Sequence, residues 1–378
     1  MNRKTKARLV NNLAAIRQKR GFSAASLAQA VGISRQAVYA IEANCYIPNT
    51  ATALRLAQEL EVSVDELFSL SSDSPPPKLV GEQATLLPGS GVLRPGQPVQ
   101  LCRIENQLVA LAPSAVPWCL PESDATVSDS GSSAGKMKVR IERFEGDYKS
   151  RLLVAGCDPA VSLLARRMRQ AGVELVLASR NSSQALTLLK QGLVHIAGTH
   201  LRDEASGESN LPEIARRFSK NEVAIISFAV WEEGIVMANK NPKGIRGIED
   251  FARKDVRIVN REQGAGSRIL LDSSLKRLKI NAKKVKGYEH IACGHLPAAW
   301  QVLNGGADCC IATRAAATVF GLGFVPLVAA RYDFAMRRAD LDLPAAQLVL
   351  DALNRAAFRR ELDNVGGYDT GETGRQML

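Results

Sequence analysis

The sequence predicts a multidomain chain: an N-terminal all-α domain, a small β segment, and a C-terminal α/β domain of two lobes. Three observations carry this. Apolar residues recur at helical spacing through residues 6–70, behind serines suited to start helices. "SSDSPPPK" at 71–78 is too rich in Pro and Ser to continue a helix. From residue 150 onward strand-like and helix-like stretches alternate, the order from which parallel sheets are built. The resulting boundaries are 1–70 for the first domain, 71–136 for a linker carrying a small β module at about 79–122, and 137–378 for the last.

Composition and charge narrow the function classes. The 378 residues are 46% hydrophobic and 23% charged, enough for two or three domains with cores of their own. No run of about 18 apolar residues occurs, so no spanning helix and no membrane partner are expected. The start, "MNRKTKARLVNNLAAIRQKR", is basic but lacks the apolar stretch of a secretory signal, so a cytoplasmic protein is expected. Seven scattered cysteines without a CxxC pair read as reduced thiols. "HIACGH", with His290, Cys293 and His295, comes nearest to a metal cluster, but nothing suggests a fourth ligand; no metal or cofactor is expected. Of the net charge of +11, residues 1–41 supply +8, from Arg3, Lys4, Lys6, Arg8, Arg17, Lys19, Arg20 and Arg35 with no Asp or Glu. A basic block of this kind is the electrostatic footprint of a nucleic-acid partner.

In the first domain Leu9, Leu13 and Ile16 fall at i, i+4, i+7 and predict a helix that Gly21 ends. Ser23 is placed to cap "AASLAQAV", which turns Leu27, Ala28 and Val31 inward. Ser34 is placed to cap "RQAVYAIEA", where Val38 and Ile41 pack and Arg35, Gln36 and Tyr39 face out. Two shorter helices follow near 50–60 and 63–69. Two short helices joined by a Gly-containing turn make a helix-turn-helix. Over about 60 residues, "SLAQAVGISRQAVYAIEANCYIPNTATALRLAQELEVSVDELF" resembles the Cro-like (XRE-type) repressor family. The resemblance implies that Ser34, Arg35, Gln36 and Tyr39 read base edges or adjacent phosphates, with Arg17, Lys19, Arg20 and Ser23 near the phosphate backbone. Where that family often has Gln, this chain has Ala24.

In the middle segment "PVQLCRI" and "QLVALAP" flank "EN" as a hairpin, and "ATVSDSGSSAGKM" at 125–137 reads as a second flexible linker. The last domain runs "RLLVAGC", "DPAVSLLARRMRQAG", "VELVLAS", "SSQALTLLKQG", "VHIAGTHL", a βαβαβ order whose ligand crevice lies at the carboxyl ends of the strands. Cys157 and Asp158, Ser179 to Ser183, and Thr199 with His200 occupy those ends. A second set follows. "VAIISFAVWEEGIVMANK" is a long strand or crossover pair, "VRIVNREQGAGSR" a strand and loop before a helix, "ADCCIAT" a strand and "GFVPLV" the last. Two lobes joined by crossover strands predict a hinged clamshell.

Residues of roughly 150–375 resemble the periplasmic-binding-protein-like domain related to molybdate-binding proteins, through "AGTHLRD", "NREQGAGSR", "KGYEHIACGHLPAAWQVLNGGADCCIATRAAA", "FVPLVAARYDF" and "GGYDTGETG". The resemblance implies a small anionic ligand, a molybdate- or tungstate-like oxyanion or a relative of one. Physically, Gly264 and Gly266 would let backbone approach the ligand. N–H groups from Ala265 to Arg268 and the Ser267 hydroxyl would donate to it at a helix start, with charge from Arg268 and Arg261. Ser179, Asn181, Ser182 and Ser183 would donate from the first lobe, and Asn260, His200 and His295 complete the candidate set. Asp158, before Pro159, suits a helix cap better than an anion.

The competing expectation is an enzyme, or a molybdenum-cofactor-related protein, that uses the 260–268 loop to bind a phosphate-bearing substrate. The chain has no GxxxxGK[ST], GxGxxG, HExxH or GxSxG, and no catalytic set is suggested by spacing. A basic DNA-binding domain joined to a ligand clamshell instead predicts a one-component transcription regulator with operator DNA as partner, acting as a homodimer.

Overall fold

Polar side chains set the helix starts of the first 70 residues. Ser23 Oγ accepts the Ser26 N–H at 3.0 Å, Ser34 Oγ that of Ala37 at 3.1 Å, and Asn49 Oδ1 that of Thr52 at 2.9 Å. They open α2 (Ala24–Val31), α3 (Arg35–Glu42) and α4 (Thr50–Glu59), which follow α1 (Leu13–Lys19) and precede α5 (Val64–Leu67). Gly32, in the left-handed region at φ 73°, turns α2 into α3. Leu13, Leu27, Val38, Ile41 and Leu56 are fully buried at the centre. The computed structural model describes residues 8–71, 81–113, 121–130, 135–141, 150–203 and 208–377. The chain divides into two units, Met1–Leu79 and Val80–Leu378. Arg3, Lys4 and Lys6, most of the Pro/Ser stretch and Cys119 lie outside the described residues.

Two expectations for this unit are corrected. The first helix begins at Leu13, whose N–H is accepted by Asn11 Oδ1 at 2.9 Å; Leu9 belongs to a strand, β1 (Arg8–Asn11). That strand pairs antiparallel with β2 (Phe68–Ser71), which also ends the last predicted helix early. Arg17, expected at the DNA phosphates, is buried. Its guanidinium grips Glu42 (2.6 Å from Nε) and donates to the Phe22 carbonyl, tying α1 to the end of α3.

In the second unit β3 (Gly81–Leu86), β4 (Pro98–Ile104), β5 (Gln107–Leu111), β6 (Ala125–Asp129) and β7 (Lys136–Ile141) close a barrel in the order β3-β5-β4-β6-β7. The expected hairpin is present, turning at Glu105 with φ 52°. The expected linker at 125–137 is not. Its Ala125, Val127 and Met137 are buried barrel residues, as is Val139 just after it; residues 131–134 lie outside the described ones. The barrel therefore reaches Ile141, past the boundary drawn at 136.

Next come β8 (Arg151–Gly156), α6 (Val161–Gln170), β9 (Glu174–Ser179), α7 (Ser182–Lys190), β10 (Ile196–Thr199), α8 (Leu211–Arg217) and β11 (Val223–Met237). After them run β12 (Ile258–Arg261), α9 (Gly266–Arg277), β13 (Ile291–Ala292), α10 (His295–Leu303), β14 (Cys309–Thr313), α11 (Arg314–Val319) and β15 (Gly323–Arg337). The chain then adds α12 (Pro344–Asn354), α13 (Ala356–Val365) and β16 (Tyr368–Asp369). The strands order as β13-β12-β14-β11-β15-β10-β8-β9, with β16 on β11.

The expected parallel sets are there: β9, β8 and β10 in one lobe, β13, β12 and β14 in the other. β8 is buried on both faces, Leu152 and Val154 packing to one side, Leu153 and Ala155 to the other, as a parallel strand covered by helices must be. "VAIISFAVWEEGIVM" is one strand. It pairs antiparallel with β15, which extends well beyond "GFVPLV" to Arg337, so this two-strand ribbon spans both lobes. Its pairing slips between Ser227 and Ala229 and again between Glu233 and Gly234.

Arg17→Ala leaves Glu42 buried without its cation. It should lower the unfolding free energy by roughly 3 kcal/mol, read by urea unfolding followed through helical circular dichroism. The salt dependence of DNA binding should stay unchanged. Unchanged stability with a salt slope reduced by about one would return Arg17 to the phosphate backbone.

Candidate functional site

Lobe-one strands end where lobe-two helices begin. Cys157 follows β8, Ser179 ends β9 and His200 follows β10; facing them are the loop after β12, the start of α9, and Gly294 with His295 at the start of α10. One hydrogen bond and two close backbone approaches bring the lobes together here. Asn181 Nδ2 donates to the Gln263 carbonyl at 3.1 Å. A Cβ at Gly264 would lie 3.2 Å from Asn181 Oδ1, and one at Gly266 would lie 2.4 Å from His200 Cε1. The two glycines thus let lobe-two backbone approach the opposing lobe, a role the sequence reading assigned to ligand approach.

His200 and His295 are buried with ring centroids 5.6 Å apart, and none of their four ring nitrogens has a hydrogen-bond partner among the described residues. Trp231, on the ribbon, lies edge-on to both at 4.8 and 5.1 Å, with Tyr332 5.0 Å beyond it. Unpartnered buried donors each cost about 1–3 kcal/mol, so their concentration here marks a site. Burial, with Arg261 adding to it, lowers the His200 pKa to about 3 and that of His295 well below its ordinary value. Both rings are therefore neutral, each offering one N–H and one lone pair. Burial pushes the Cys157 thiol up to about 12. Sγ of Cys157 and ring nitrogens of His200 and His295 lie within 4.8 Å of one another.

Arg261 is the buried cation of this centre. Nε and Nη2 reach Glu262 at 3.0 and 3.1 Å, while Nη1 has no partner among the described residues. Glu233, also buried, accepts from the Ser267 hydroxyl, and burial raises its pKa against the pull of that bond and of Arg261. α9 adds its first N–H groups, Gly266 and Ser267, which have no i−4 acceptor. A cavity of about 200 Å³ between the lobes is lined by Cys157, Ser179, Gly294 and His295, and one of about 720 Å³ by His200, Glu233 and Gly266.

The remaining candidates are placed as follows. Ser182 Oγ accepts the His200 N–H at 3.1 Å, and Asn181 caps α7. Ser183 Oγ accepts from Arg217. Asn260 uses its amide locally, donating to the Tyr288 carbonyl and accepting the Arg261 N–H. Ala265 is the buried N-cap residue of α9. Arg268 turns to Asp272, the Arg261 carbonyl and the Tyr288 ring; like Arg261 it lines neither cleft cavity, but its partners draw it away from the histidine pair. Asp158 accepts the Ala160 N–H and the Tyr368 hydroxyl proton. "HIACGH" does not cluster: His290 and Cys293 are exposed, and only His295 of the three enters the centre. Sequence reasoning passed over Cys157, Trp231 and Glu233 as site residues. A signal was present, since the charged pair Glu232 and Glu233 interrupts a mostly apolar strand; burial singles out Glu233.

In the first unit Lys19, Arg20, Ser23, Ser34, Arg35, Gln36 and Tyr39 are exposed. Arg35 Nη2 donates to the Tyr39 hydroxyl at 3.2 Å on the outer face of α3, and Arg20 lies 3.5 Å from Glu61.

A helix-turn-helix unit and a two-lobed binding domain on one chain define a fusion of regulator and ligand-binding types. A helix-turn-helix model matches residues 13–67, and the PBP superfamily domain matches residues 164–354. The chain belongs to that PBP superfamily, with an XRE-type helix-turn-helix at its N-terminus. It is 32% identical over 240 residues to the uncharacterized protein YvgK of Bacillus subtilis, covering 63% of this chain and 77% of that one. It is 30% identical over 64 residues to the uncharacterized HTH-type transcriptional regulator YgzD of the same organism, covering 17% and 97%. Among solved structures, the periplasmic molybdate-binding protein of Azotobacter vinelandii aligns at 14% identity and TM-score 0.46, over 58% of this chain and 98% of that one. Among the described residues no helix is long and apolar enough to cross a membrane.

His195, like the other two, is held neutral: burial lowers its pKa to about 4, and its Nδ1 accepts the Leu153 N–H. A histidine whose folded pKa lies below its unfolded one destabilises the fold as pH falls through the unfolded value near 6.5. Stability should therefore drop on acidification from pH 6.5 to 4 by up to about 1.4 kcal/mol per pH unit for each histidine. Urea midpoints measured across that range test this; a flat profile would mean the three rings protonate in place.

Proposed function

We propose that this chain is a one-component transcription regulator. Its helix-turn-helix binds operator DNA in the cytoplasm as a homodimer, and its clamshell binds a small anion of the molybdate-like oxyanion class. The observation that carries the reading is the pairing, on one chain, of an exposed Arg35-Gln36-Tyr39 face with a buried guanidinium beside the cleft histidines, Arg261, whose Nη1 has no partner among the described residues. The anion reading is supported by the helix starts around that cation. Asn181 joins the start of α7 to the loop before α9, and Gly294 sets the start of α10 against Ser179. Helix N-termini and a guanidinium both favour negative charge. Both domains are of regulator and binding types, which supports a sensor over a catalyst.

Ligand bound across the cleft would favour the closed lobes and so bias the DNA-binding state. A coupling of about 1–3 kcal/mol is what such switches need. A dimer would meet half-sites about 34–36 Å apart.

Mobility shift on DNA from upstream of the coding sequence should give salt-sensitive binding. Arg35→Ala with Gln36→Ala should weaken it on the order of 10- to 100-fold; parental affinity in the double variant would dismiss α3 as the reading helix. For the cleft, molybdate, tungstate, sulfate and phosphate are added in turn while melting is followed. At least one should raise the melting temperature, and Arg261→Gln should abolish the rise. A response that survives that substitution places the anion elsewhere.

A further inference from the structure

The cluster at the centre of the cleft has a composition that an anion site does not require. Cys157, His200 and His295 bring one sulfur and two imidazoles within 4.8 Å of one another. The imidazoles are more than nine-tenths buried, and all four of their nitrogens lack partners among the described residues. An anion is recognised by N–H and O–H groups; three groups that each converge a lone pair or a thiolate suit a cation. Two imidazoles with a thiolate are the ligand set of borderline-to-soft metals, Zn²⁺ and Cu⁺, whereas hard ions take oxygen. We infer that Cys157, His200 and His295 form a three-ligand site for a d-block cation of this class, assembled from both lobes.

The placement gives the site its consequence. Cys157 and His200 follow lobe-one strands β8 and β10, and His295 opens lobe-two helix α10. Bonds of about 2.0–2.1 Å to nitrogen and 2.3 Å to sulfur put tetrahedral ligand atoms about 3.3–3.6 Å apart. The three atoms must therefore draw inward, and the residues that move together belong to opposite lobes. With both nitrogens of each ring unpartnered, either can turn toward the ion. The Cys157 sulfur binds as thiolate, its proton passing to solvent as the ion enters. Cys157 retains part of its surface beside the interlobe cavity, which gives the ion a way in. Three protein ligands leave a fourth position open. Beside it stands Arg261, so an anion completing the coordination would meet the same cation as in the function proposed above. The site rests on that reading for the fourth ligand alone.

The test uses the full chain, stripped with a chelator and titrated with Co²⁺ in anion-poor buffer, then with Zn²⁺ against a chromophoric chelator. The expected result is one equivalent bound, with a thiolate-to-cobalt absorption band. Cys157→Ser should abolish that band, and His200→Gln or His295→Gln should weaken binding on the order of 100-fold or more. Circular dichroism and melting of the stripped variants check folding; should the histidine variants fail to fold, the cobalt band in parent against Cys157→Ser decides alone. Absence of the band in the parent, or metal affinity equal in all variants, overturns the site. Added molybdate or phosphate separates the two readings. Metal bound with no anion response sinks the anion and keeps the metal site. An anion response in chain that binds no metal does the reverse.

Discussion

The second unit depends on one constraint, the antiparallel pairing of β11 with β15 along their full length. Each is 15 residues, and together they are the continuous path from one parallel strand set to the other. The ribbon fixes which strand ends face each other, and so which side chains can meet. Trp231 and Glu233 lie on it between the lobes, beneath the histidine pair and beside Ser267. The second slip in its register falls at Glu233 and Gly234, where an added Cβ would lie 2.2 Å from the Val325 carbonyl oxygen. A ribbon is also an element that can twist without breaking its ladder, as the lobe closure proposed above would require.

Much of this was legible in the sequence, for physical reasons. Ser23 and Ser34 are capping signals read within four residues, and the helices they start appear as expected. Strand-helix alternation from residue 150 forces a parallel sheet with its crevice at the strand ends, and the crevice lies there. What failed depended on distant partners. Leu9 fits a helical period, yet β2, some 60 residues on, claims it for a strand. "ATVSDSGSSAGKM" looks like a linker because Ser and Gly dominate it, while Ala125, Val127 and Met137 are enough to close a barrel.

The centre of the cleft followed the same rule. Glycine in "QGAG" signals close approach, but what approaches is the histidine of the other lobe. Arg261 and Arg268 look alike in sequence; burial at the end of a strand separates them, one facing no partner at Nη1 and the other spent on Asp272. The adjacency of His290, Cys293 and His295 pointed to a local cluster. Actual proximity joined His295 to His200 and Cys157, 95 and 138 positions before it, through topology that spacing does not encode.

The barrel changes how any lobe movement must be pictured. Leu87, Cys102, Ile104, Val109 and Leu111 share one core with the β8, β9 and α7 side chains of lobe one. Arg151 of β8 binds Asp124 and Glu174 at 2.6 Å each, Arg180 reaches the Pro88 carbonyl, and Arg337 reaches Glu105. Barrel and first lobe are thus a single anvil. Under the function proposed above, a ligand that draws the lobes together would move the second lobe against that anvil, which is where the chain enters this unit.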